Sequence, residues 1–196
     1  KPDQDTILEA VPGESFRAPV QPELVASRLN SLFPMNLDHP QYFTLGYGIL
    51  DFQTHELVYA SAGHPPAVLV TREGEIRQLD STGPPIGLLT DSSFSQKQIT
   101  LAPGDRIFIY TDGLTEATGP DGQEHGFERL CGTALASRKT SLEQSLRDVV
   151  KALHTWIGGA NPKDDVSILA FERSISQESR RTAIPPRFRG RQEHRD

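Results

Sequence analysis

The stretch "RIFIYTDGLTEA", residues 106–117, decides how this chain is to be read. Ile107, Phe108, Ile109 and Tyr110 stand in succession and need a core around them. They run straight into Asp112–Gly113. A carboxylate beside a core is costly unless it is paired or holds a metal. A second stretch, "NPKDDVSILAFE", residues 161–172, has the reverse order, with Asp164 and Asp165 first and the apolar strand after them. If the two strands are antiparallel neighbours, the end of one lies beside the start of the other, and the carboxylates gather at one sheet edge. Unpaired, they repel. A hard divalent cation such as Mg²⁺ or Mn²⁺, which prefers carboxylate oxygens and water, resolves this. Gly113 lets the backbone turn sharply after Asp112. No His or Cys cluster has zinc spacing. Singly, each motif is ordinary: Asp-Gly after a strand is a common turn, and Lys-Asp-Asp is a common solvated strand start. The pair carries the signal.

Working outward, the pattern before residue 106 is one of short strands. "YFTLGYGILD", "ELVYASAG", "PAVLVTR" and "EIRQLD" are separated by turn residues. Their links are too short for parallel crossovers, so they read as an antiparallel meander. "FSQKQITL" and "DRIFIYT" read as another pair, joined by "APG". Helices flank this region. "QPELVASRLNSLFP" starts with Pro22, suited to a first helical position, and places Leu24, Val25, Leu29, Leu32 and Phe33 on one face. "EHGFERLCGTALASR" reads as a short helix. "TSLEQSLRDVVKALHTWIGG" is a longer one: Thr140 and Glu143 fit a capping box, Leu142, Leu146, Val149, Val150, Leu153 and Ile157 form its stripe, and Gly158–Gly159 stops it. Strands in runs with helices at both ends argue for an α+β fold, not an alternating one. The organisation read here is an irregular leader over 1–20, one domain over 21–172, and a basic Arg- and Pro-containing tail over 173–196.

Composition narrows the function classes. With 36% hydrophobic and 23% charged residues, the chain is ordinary for a globular domain of 196 residues. No run approaches the ~18 consecutive apolar residues of a membrane span. A single cysteine, Cys131, rules out an internal disulfide framework and reads as a buried helical thiol; a reducing, cytoplasmic compartment is expected. The net charge of −6 is uneven: residues 173–196 carry +4, leaving −10 on the rest. An acidic body argues against a nucleic-acid binder, a carboxylate-metal nuclease included, because nothing neutralises the phosphate backbone.

"YTDGLTEA" followed downstream by "DDVSILAF" resembles the metal-dependent, type 2C-like serine/threonine protein phosphatases in their bacterial branch, that of the stage II sporulation and sigma-factor-regulating phosphatases. "PELVASRLNSLF", "YFTLGYGILD", "LVYASAGHPPAVLV", "GPPIGLL" and "EHGFERL" resemble further family blocks, in family order. The resemblance implies two packed antiparallel sheets with helices outside, an α-β-β-α sandwich. It implies two Mn²⁺ or Mg²⁺ ions, with Asp112 and Asp164 ligating one of them, and a metal-activated water as nucleophile; no side chain is singled out as catalytic. The implied substrate is phosphoserine or phosphothreonine on a small regulatory protein of the anti-sigma-factor-antagonist type. An upstream sensor or receiver domain is the expected companion, and a dimer is left open.

The chain departs from the family pattern at its start. An earlier metal-bridging aspartate in a Gly-Asp-aromatic strand motif, and an acidic-Gly motif after it, are not found; Asp3 and Asp5 match neither. Two explanations stand: the first strands and motifs lie upstream of Lys1, or they are lost, leaving an inactive binding module that sequesters a partner. Around the acidic edge, His64 in "SAGHPP" reads as part of a strand-to-strand turn near the site. Asp165 reads either as a support for the ligands or as a solvated charge. Gly83–Gly87, "GPPIG", reads as a rigid turn, since its prolines lack the N–H donors of a phosphate loop. Trp156 reads as packing.

Overall fold

A computed structural model describes residues 6–12, 14–15, 17–35 and 41–175. The strands are β1 (Leu8–Ala10), β2 (Arg17–Pro19), β3 (Leu45–Leu50), β4 (Glu56–Ala62), β5 (Ala67–Val70), β6 (Ile76–Leu79), β7 (Lys97–Thr100), β8 (Arg106–Tyr110) and β9 (Ile168–Glu172). The helices are α1 (Pro22–Leu32), α2 (Gly126–Ala136) and α3 (Leu142–Trp156). Beyond a two-stranded β1-β2 ribbon, the strands form two antiparallel sheets in the orders β3-β4-β7 and β6-β5-β8-β9.

The alternation of side chains along β8 explains its unbroken apolar run. Successive residues of a strand point to opposite faces, and both faces of β8 are covered. Phe108 and Tyr110 join Val68, Val70, Leu130, Val149 and Leu153 in a core shared with α2 and α3. Ile107 joins Leu57, Tyr59, Leu69, Leu79 and Leu101 in a core between the sheets. A third, smaller core sets Ala26 of α1 against Ala62 and Ile86. The layers are therefore α1, sheet, sheet, and α2 with α3, as the family resemblance implied. Burial of a side chain such as Phe108, which is 0% exposed, contributes roughly 1.5–3 kcal/mol.

Five local readings are corrected. β7 and β8 do not pair: β7 adds to β4 and β8 lies between β5 and β9, in opposite sheets. The 102–105 link is a corner. Asp105 Oδ2 accepts from Ala102 N at 2.8 Å and Oδ1 from Arg72 N at 3.2 Å, while Gly104 N donates to Arg173 O. These bonds tie the corner to the neighbouring sheet, so β8 cannot fold back on β7. The meander likewise breaks between β4 and β5, where the chain changes sheet at Gly63; a Cβ there would meet Pro85 Cγ at 2.4 Å, and the φ of +65° also asks for glycine. On α1 the buried residues are Pro22, Val25, Ala26 and Asn30, while Leu24, Leu32 and Phe33 are exposed. The helix is rolled to bring the Asn30 amide onto the carbonyls of Leu89 and Thr90 and its Oδ1 onto Gly87 N. Finally, α3 is capped by Ser141, which accepts from Gln144 N; Thr140 Oγ1 donates instead to Ser137 O. Of the leader, residues 8–10 and 17–19 pair as strands where loop was expected. The tail from 176 onward lies outside the described residues.

Candidate metal centre

β8 and β9 are antiparallel neighbours, with Tyr110 opposite Ile168. The end of β8 and the start of β9 therefore meet at one edge of the sheet. Asp112 opens a single 3-10 turn over Asp112–Leu114, and Asp164 and Asp165 lie in the segment that leads into β9. Thr111 laces the two segments together: its N–H donates to Ser167 O at 3.0 Å, its Oγ1 donates to Asp165 O at 3.0 Å, and the same Oγ1 accepts from Ser167 N at 2.9 Å. Gly113 sits where they touch. A Cβ on it would lie 2.5 Å from Asp165 O and 3.4 Å from Asp164 C, so glycine is needed here for close approach.

All three carboxylates are exposed. Asp112 Oδ1 accepts from Gly113 N at 3.0 Å, and Asp164 Oδ1 accepts from Asp165 N at 2.7 Å. Each local bond fixes its carboxylate and leaves the second oxygen without a hydrogen bond among the described residues. Asp165 meets the edge through its backbone carbonyl. His64, in the link from β4 to β5, stands at the same end. Its Nδ1 lies 3.3 Å from Thr44 Oγ1. Burial pushes its pKa below the ordinary histidine value, and the Asp112 charge partly offsets that. The fold thus brings Asp112, Gly113, Asp164, Asp165 and His64 to one edge.

The donor chemistry fits a hard divalent cation in part. Mg²⁺ takes about six oxygen ligands, several of them waters, and this edge offers carboxylate oxygens only from the two turns. Among the described residues no group of three or more His, Cys, Asp or Glu side chains could hold an ion. Sequence reading missed Thr111, which builds the edge from behind. It also missed Arg106, at the opposite end of β8 from Asp112: it is 4% exposed, pairs with Glu172, and donates to the carbonyls of Ser137 and Thr140, locking the α2–α3 link onto β8 and β9. An arginine at the start of an apolar strand was the available signal. Trp156, read as packing, stacks under Arg129 at 3.8 Å from the ring centroid and donates from Nε1 to Gln123 O.

A helix-flanked double antiparallel sheet with an acidic edge where β8 meets the outer strand β9 is the architecture of the type 2C-like phosphatase domain. The SiaA-PP2C domain of Pseudomonas aeruginosa has this fold at a TM-score of 0.68 and 22% identity, over 78% of this chain and 61% of that one. The family model for Stage II sporulation protein E (SpoIIE) matches residues 6–174, and the chain belongs to that family. It is 33% identical over 138 residues to protein IcfG of Synechocystis, covering 70% of this chain and 22% of that protein. It is 26% identical over 164 residues to phosphoserine phosphatase RsbU of Bacillus subtilis, covering 80% of this chain and 46% of that protein. The chain spans less than half the length of either relative.

Proposed function

We propose that this chain is part of a metal-dependent phosphoprotein phosphatase that hydrolyses phosphoserine or phosphothreonine on a bacterial regulatory protein of the anti-sigma-factor-antagonist type. The observation that supports it best is the β8–β9 pairing, which sets Asp112 and Asp164 at one edge with their outer oxygens unspent. Membership of the SpoIIE family and similarity to a phosphoserine phosphatase support the reaction class. Asp112 and Asp164 would hold one of two Mn²⁺ or Mg²⁺ ions, which when bound activate water and neutralise phosphoryl charge. Gly113 brings the two turns together, Thr111 holds them in register, and Asp165 and His64 shape the surroundings. A cytoplasmic setting and a sensor or receiver domain in the parent protein belong to the same reading. No helix among the described residues is long and apolar enough to cross a membrane.

A second reading is a binding module without turnover that sequesters a sigma-pathway partner. It is favoured by the arrangement of the edge, where no three His, Cys, Asp or Glu side chains among the described residues are grouped closely enough to hold an ion together. Mn²⁺-dependent release of phosphate from a phosphoserine protein, measured for this chain beside Asp112→Asn, separates the two. Turnover lost in the variant supports the phosphatase. Full turnover in the variant overturns the assignment of Asp112. No turnover in either, with retained binding of the phosphoprotein, favours the binding module.

A further inference from the structure

β9 has the composition of an inner strand and the position of an outer one. It reads ILAFE, without the lysine, proline or bulge that blunts an exposed edge. Yet it ends the order β6-β5-β8-β9, and no strand among the described residues pairs with its far side. Leu169 is 62% exposed, whereas the neighbouring β8 is buried almost throughout. Thr111 N donates to Ser167 O and Arg173 N to Asp105 O, so the odd-numbered residues bond towards β8. Alternation turns the N–H and C=O of Ile168, Ala170 and Glu172 outward.

Both faces beside this open edge are apolar. Between the sheets, Phe171 borders a half-open cavity of about 410 Å³, lined also by Leu50, Leu57, Ile107 and Ile109. On the helix side, α3 packs over β9 and α2 over β5, so the flank of α3 turned away from α2 lies beside the open edge. That flank carries Leu146 and Val150 between the stems of Arg147 and Lys151, and Val150 is 37% exposed. A strand added at β9 would lay one row of side chains across the cavity mouth and the other against α3. The surface is also self-complementary. Glu143 stands in the first turn of α3 and Lys151 and His154 in its later turns, so an antiparallel second α3 brings opposite charges together.

We propose that the β9 edge and the Leu146–Val150 flank of α3 form a two-fold interface with a second copy of this chain, β9 pairing antiparallel with β9 across the axis. A register centred on Ala170 uses all three outward residues: Ala170 pairs with Ala170, and Ile168 with Glu172, in opposite copies. Leu169 of one copy then faces Phe171 of the other on the inner side. The same relation sends the two acidic edges to opposite ends of the joined sheet, so their charges do not oppose association. The inference does not rest on the phosphatase reading.

The test is sedimentation equilibrium of the full chain over a wide concentration range, with amide hydrogen exchange read at both ends of that range. A reversible dimer is expected, and the amides of Ile168, Ala170 and Glu172 should exchange more slowly as concentration rises. Leu169→Lys and Val150→Lys replace exposed side chains, and each should weaken dimerisation about tenfold or more. A monomer at every concentration, which is what a strand from another polypeptide on β9 would leave, overturns the proposal. So does a dimer of unchanged affinity in both variants, or exchange at the three amides that ignores concentration. Should a variant fail to fold, the exchange measurement on the native chain decides alone.

Discussion

Asp112 and Gly113 divide one task between charge and space. Asp112 supplies an outward oxygen, so Asp112→Asn should keep the fold and its thermal midpoint while weakening Mn²⁺ binding by about tenfold or more, measured by calorimetric titration; unchanged Mn²⁺ affinity would remove Asp112 from the site. Gly113 supplies room. In Gly113→Ala the new methyl meets the Asp165 carbonyl, and overpacking of that kind costs about 1–3 kcal/mol, readable in urea unfolding. Arg106 is a different case. Its guanidinium is buried with Glu172 and two carbonyls around it, so Arg106→Ala strands three acceptors and should cost about 3–5 kcal/mol. A loss below 1 kcal/mol would mean that water already serves those carbonyls. Thr111 and Arg106 were hard to single out in the sequence because each acts through groups that are distant along the chain. Asp112 and Asp164 were legible because a charge abutting an apolar strand conflicts with burial, and the conflict shows locally.

Among the elements, α3 shows how a sequence signal can be right in kind and shifted in position. A capping box was legible, but Ser141 is the cap and Gln144 the residue it holds. Ser141→Ala should therefore cost about 1 kcal/mol, with near-normal amide exchange elsewhere in the domain. A still larger loss in Thr140→Ala would return the cap to Thr140. The helix stripe held at Val149, Leu153 and Ile157, which are buried, while Val150 remains 37% exposed. On α1 the stripe held at Val25 and Leu29 and failed at Leu24, Leu32 and Phe33, because the fold turned Ala26 and Asn30 inward for close packing and hydrogen bonding. Strand identity was recovered throughout β3 to β9, since period-two alternation is local. Strand pairing across 102–105 was not, because a corner and a hairpin share the same Pro-Gly vocabulary.

For the whole molecule, titration of the helix-side core sets a window of stability. His125 has its pKa lowered by burial and by Arg129. The unfolded chain then binds the proton more readily, so stability is full above the ordinary value of 6.5 and declines as pH falls below it. Cys131 is pushed up to about 11 and Tyr110 to about 12, mainly by burial. There the folded state keeps the proton longer, so stability declines as pH rises past the ordinary values of 9.0 and 10.0. Urea midpoints across this range should show a plateau between near-neutral pH and about 9, with the acid limb flattened in His125→Phe. An acid limb unchanged in that variant would assign it to other groups.

What the sequence determined by itself were the properties written in neighbouring residues: strand and helix periods, the two acidic turns, the acidic body and the family blocks. The tertiary structure decided which sheet each strand joins, which face of α1 is buried, that Thr111 and Gly113 hold the acidic edge together, and that Arg106 locks the opposite end of the same strands. The reason is physical. Periodicity and local charge conflict are properties of a few consecutive residues, whereas sheet membership and close approach depend on packing between segments far apart in the chain, and only the folded core selects among the pairings that the same local pattern allows.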